Sequence, residues 1–77
     1  MKFTFKFLEP HFAIQNQDIF EVSDGTTTAI CCISSDSGDI REVFASKVDG
    51  DSMVKALKGR KLPLSSLALN EFEYNFD

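Results

Sequence analysis

Catalysis and metal binding require groups that share a proton, attack a substrate or converge on an ion, and this chain offers few. Its single histidine is His11, and its two cysteines are the neighbours Cys31 and Cys32. A metal site needs several ligands at set spacings, and neither C-x-x-C nor H-x-x-x-H occurs. His11 polarising one thiol would make a dyad, but no nucleophile signature surrounds either residue. Neighbours in a strand point to opposite faces, so Cys31 and Cys32 are poorly placed to bridge each other. They read as small buried apolar residues, which suits a reducing, intracellular setting.

Carboxylates are more plentiful. Asp36, Asp39, Glu42, Asp49 and Asp51 lie close in sequence, but not in the D-x-[DN]-x-[DN]-G order of an EF-hand. Asp49-Gly50-Asp51 reads as a turn and a helix cap. The four glycines, 25, 38, 50 and 59, stand singly at turns, so no phosphate-cradling loop forms. No nucleophile elbow, kinase set or dinucleotide fingerprint is present. The expectation is a protein without catalytic residues, cofactor or resident metal.

What remains is charge, and it is unevenly distributed. Net charge is −4, yet residues 9–51 hold nine acids against Arg41 and Lys47, while residues 52–61 carry Lys55, Lys58, Arg60 and Lys61 with no acid. Two candidate contact surfaces follow. Asp36, Asp39, Glu42, Glu71 and Glu73 can each face an arginine or lysine, and carboxylates spaced along a sheet edge imitate a phosphate row. The same charges would also serve simply to guard an edge strand against pairing. Lys55, Lys58, Arg60 and Lys61 form the alternative, a docking corner for an acidic partner or phosphate backbone, or a cationic helix end matched to the dipole. An acidic chain is repelled by nucleic acid, so a basic protein is the better electrostatic match and direct nucleic-acid binding is not expected.

The elements that position these residues are short. Lys2–Leu8 alternates Phe3, Phe5 and Phe7 against Lys2, Thr4 and Lys6, a strand that Pro10 ends. His11–Gln15 fits either a brief extended piece or a turn. Asp24-Gly25 between Ile19–Ser23 and Thr27–Ser34 predicts a two-residue hairpin, with Phe20 opposite Ala29 and Val22 opposite Thr27. Ser35-Asp36-Ser37-Gly38 is a second turn. Ile40–Val48 fits a helical stripe or a strand; the strand is favoured, with Ile40, Val43, Phe44 and Val48 in the core either way. Asp51 or Ser52 caps a short helix through Lys58, with Met53, Val54, Ala56 and Leu57 on its apolar side and Gly59 at its end. Leu67–Phe76 closes the chain as a strand, with Phe72, Tyr74 and Phe76 on one face. The fold class is α+β: an antiparallel sheet of four to five strands with one or two short helices on one face. The strand over residues 27–34 has apolar residues on both faces, Ile30 and Cys32 opposing Ala29, Cys31 and Ile33, which hints at a partner or a dimer.

Seventy-seven residues, 43% of them hydrophobic, make a single domain spanning 1–77. Eight Phe and one Tyr, with no Trp, supply the bulk of its core. No apolar signal segment opens the chain and no run is long enough to span a membrane, so the cytoplasm is the expected compartment.

The alternating start Met1-Lys2-Phe3, the hairpins at Asp24-Gly25 and Ser37-Gly38, and the helix end Leu57-Lys58-Gly59 resemble the small anti-CRISPR proteins of phages and mobile elements. The likeness is to those with short helices on a four-stranded sheet. It departs at Leu67–Phe76, where a helix would be expected, so no functional residue is carried over. It implies a stoichiometric inhibitor that blocks a larger nucleic-acid-handling complex in a host cytoplasm. The other expectation is a cellular accessory or structural module acting as a homodimer.

Overall fold

Period-two alternation dominates the chain, and the computed structural model, which describes residues 1–45 and 50–76, is correspondingly sheet-rich. Strands β1 (Lys2–Pro10), β2 (Gln17–Ser23), β3 (Thr28–Ser34) and β4 (Ile40–Ala45) follow one another as an antiparallel meander. Helix α1 (Gly50–Leu57), the single turn α2 (Leu64–Leu67) and strand β5 (Glu71–Asn75) complete the order. β5 pairs with β1, giving one sheet in the order β4-β3-β2-β1-β5. This is the α+β architecture the alternation predicts.

The inner face of the sheet holds Phe3, Phe5, Phe20, Val22, Ala29, Cys31, Ile33, Ile40, Val43 and Phe72, all buried. Met53 and Leu57 of α1, with Leu62, close over them, and Phe7, Tyr74 and Phe76 pack at the margin. α1 starts at Gly50, so Asp51 lies inside the first turn instead of capping it, still at the positive end of the helix dipole. Gly59, at φ +85°, ends that helix in a left-handed conformation.

Three further sequence expectations change, each for a local reason. Phe20 faces Cys31 and Val22 faces Ala29, two residues along from the predicted register, because residues 24–27 form a four-residue loop. Gly25 has a positive φ of 99° and Asp24 does not, so the two-residue turn that needs both is not formed. Instead the Asp24 carboxylate accepts the backbone N–H groups of Thr26 (2.8 Å) and Thr27 (2.7 Å), while Asp24 N–H donates to Thr27 O at 3.2 Å. A slip of two keeps every side chain on its face, which is why the core survives it.

The second change concerns Phe44, which is 60% exposed and not in the core. Ile40 pairs with Ile33 and Glu42 with Cys32, leaving Arg41 as an extra residue. That bulge lets Ile40 and Val43 both face inward and sends Phe44 to the other side. Val48, assigned to the same core, lies outside the described residues. The third change is at the last strand, which begins at Glu71 because Leu67 belongs to α2. Phe7 N–H donates to Asn70 O at 2.8 Å as the last link; beyond it β1 bulges at Leu8 and offers β5 no further register.

Gly38 joins the meander to the helical half. Its φ is +84°, its carbonyl accepts Leu62 N–H at 2.9 Å, and an added Cβ would overlap the Leu62 carbonyl oxygen. Gly38→Ala is therefore expected to lose at least about 2 kcal/mol in denaturant unfolding, combining left-handed strain with backbone collision. The Asp24 loop makes a pH-dependent contribution. Backbone N–H bonds from Thr27, then Thr26, hold its carboxyl below the ordinary 3.8. Its stabilisation is present above 3.8 and lost as pH falls through the lower folded-state value. Asp24→Ala should thus melt earlier than wild type at neutral pH, and the difference should close in strong acid.

Candidate functional site

Strand pairing decides which charged side chains share a surface. The outer face, opposite the helices, reads across the sheet as Phe44, Ile30, Glu21, Lys6 and Glu71 in one row. The next row is Glu42, Cys32, Ile19 and Glu9, and Thr4 pairs with Glu73 beyond the first. Five glutamates, at positions 9, 21, 42, 71 and 73, therefore project from this face, with Lys2 and Lys6 between them. Among the described residues both helices pack on the inner side; on the outer face Phe44 is exposed, Ile19 and Ile30 are half-buried, and Cys32 between them is buried.

The predicted acidic residues do not form one cluster. Glu42 sits on edge strand β4, and Glu71 and Glu73 on the opposite edge β5. Four inter-strand steps, about 19 Å, separate them. Asp36 and Asp39 lie in the β3–β4 turn at one end of the sheet, where Ser37 Oγ donates to Asp39 Oδ2 at 2.9 Å. Two of the five already meet a cation: Glu73 pairs with Lys2 at 3.2 Å and Glu42 with Lys58 at 3.8 Å. All four side chains are exposed, so each pair contributes at most about 1 kcal/mol and leaves the carboxylate open to a stronger partner.

The basic corner is less available than the sequence suggests. Lys58 reaches Glu42, and the Arg60 guanidinium lies 5.7 Å from the Phe76 ring centroid in a cation–π contact. Lys61 bridges Asp39 through the backbone, and Ile40 N–H donates to Arg60 O at 2.9 Å. The 58–61 segment thus covers the start of the β4 edge and brings acidic and basic residues together. Lys55 lies apart, in the last turn of α1.

Glu9 and Glu21 belong to the outer face and were missed as candidates. The signal for Glu21 was present, since Phe20 and Val22 flank it and both point inward. Glu9 was not legible, because the bulge at Leu8 resets the alternation of β1.

The remaining reactive groups are poorly placed for chemistry. Burial, reinforced by Cys32, pushes the Cys31 thiol up to about 12, and burial followed by the Glu42 charge raises that of Cys32. Both cysteines are free. His11 lies in the β1–β2 loop, where its Nδ1 is occupied as an acceptor by two backbone N–H groups. Cys31, a neutral thiol sealed in the core, is expected to resist iodoacetamide in the folded protein near pH 8. It should react at an ordinary thiol rate once guanidinium unfolds the chain; mass spectrometry of the alkylated peptide checks this, and rapid native labelling would contradict the placement.

No helix among the described residues is long and apolar enough to cross a membrane. Compared with known proteins, the chain matches no family model, no curated protein and no solved structure.

Proposed function

We propose that this protein acts without catalysis, by docking the outer face of its sheet onto a basic surface of a larger, nucleic-acid-handling protein complex and blocking it. The observation that carries this reading is the composition of that face: five glutamates around the exposed Phe44 and the half-buried Ile19 and Ile30, against Lys2 and Lys6. Carboxylates on a rigid sheet hold their spacing, as phosphates on a backbone do, and long-range attraction brings them to an Arg- or Lys-lined groove. The apolar strip supplies area whose burial holds the complex once formed. Inhibitors of the anti-CRISPR type work in this manner, and the outline of this chain resembles theirs. Self-association through the same face is disfavoured, because it would bring two sets of glutamates together. Asp36 and Asp39, at the end of the sheet, extend the acidic surface toward the β3–β4 turn.

The test begins with a partner isolated on immobilised wild-type protein, then purified and titrated by calorimetry. Glu21→Lys and Glu71→Lys should each weaken its affinity on the order of tenfold. Added salt should weaken the wild-type complex steeply. Stoichiometric addition should release nucleic acid from the partner. Affinity indifferent to salt and to both charge reversals would sink the acidic-docking reading.

A further inference from the structure

The β1–β2 loop, residues 11–16, carries the largest apolar exposure in the described structure. Phe12 is 87% exposed, Ile14 is 48%, and Leu8, on the strand leading in, is 43%. This loop is held in place. His11 Nδ1 accepts the N–H groups of Ala13 (3.0 Å) and Ile14 (2.9 Å), and the Phe12 ring stacks on the imidazole with centroids 4.8 Å apart. His11 N–H donates to Gln17 O at 3.0 Å, closing the loop. Asn16, in the left-handed region at φ 66°, accepts Ser35 N–H at 2.8 Å, which ties the loop to the β3–β4 turn. The ordering cost of this segment is met during folding, so a partner that buries Phe12 gains its apolar area with little further loss of entropy.

We propose that Phe12 is a preorganised anchor that enters an apolar pocket with a basic rim on the partner protein. Charge selects this occupant. Glu9 and Asp18 stand at the base of the loop, Asp36 follows Ser35, and no Lys or Arg occurs from Phe7 to Ile40. An anionic bilayer and a second copy of this chain would both be repelled by these acids, whereas a basic protein surface is attracted. This rests on the docking function proposed above and adds a division of labour: the glutamates steer, and a buried aromatic supplies most of the affinity.

The experiment replaces Phe12 with the photo-crosslinker p-benzoylphenylalanine in expressing cells, then purifies the crosslinked protein and titrates it with unmodified variants. One protein should crosslink, and Phe12→Ala should bind it about 30-fold or more weakly while melting like wild type. His11→Ala, which leaves the ring in place but unfastens the loop, should weaken binding several-fold. Crosslinks only to lipid or to a second copy, or none to any protein, would overturn the proposal. So would a Phe12→Ala affinity within about threefold of wild type, or binding to phosphatidylglycerol vesicles that depends on Phe12. If Phe12→Ala is silent while Glu21→Lys weakens the complex, the anchor fails and acidic docking stands. The reverse pattern keeps the anchor and removes the sheet face.

Discussion

Phe5 on β1 stands directly opposite Phe72 on β5, and the two rings stack with centroids 5.1 Å apart at 14°. Phe76 meets Phe5 edge-on at 6.4 Å, and Phe20 meets Phe72 at 6.1 Å, so the first two strands and the end of the chain converge on one aromatic knot. Truncating one such ring to alanine costs about 3–5 kcal/mol, whereas the exposed pairs Lys2–Glu73 and Lys58–Glu42 are each worth at most about 1. Burial therefore sets the fold, and the exposed charges contribute little to it. The same packing fixes β1 inside the sheet, between β2 and β5, although it comes first in the chain.

That division gives the two faces different work. The inner face is apolar and closed by α1 and Leu62; the outer face is acidic and carries Phe44 into solvent. The free margin of the sheet at β5 bears Glu71 and Glu73, which discourage another strand from adding there. The β4 margin is partly closed by backbone bonds between Ile40 and the 59–60 segment. Like charge on the outer face opposes a symmetric dimer. In the proposed docking, a partner of opposite charge would meet this acidic surface and its exposed aromatic side chains.

The loops show how a small chain holds polar backbone without a large core. Asp24 and His11 each accept two backbone N–H groups from residues just ahead, and Ser34 Oγ accepts those of Asp36 and Ser37. Such local acceptors replace strand partners where the ladder ends. In the β1–β2 loop they fasten the backbone beside the exposed Phe12.

Much of this protein was determined by sequence alone. Alternation in Lys2–Leu8 and in residues 71–76 assigned Phe3, Phe5 and Phe72 to the core, because successive side chains in a strand must point to opposite faces. Gly38 and Gly59 marked turns because no other residue takes a positive φ so readily. Tertiary structure decided the rest. The bulges at Leu8 and Arg41 depend on which strand lies alongside, and they alone set Glu9 and Phe44 on the outer face. The pairing of β5 with β1, and the meeting of Lys58 with Glu42, join residues far apart in the chain. A period of two is a property of the backbone and can be read locally. Register, bulges and shared surfaces are properties of partners, and only the folded chain chooses them.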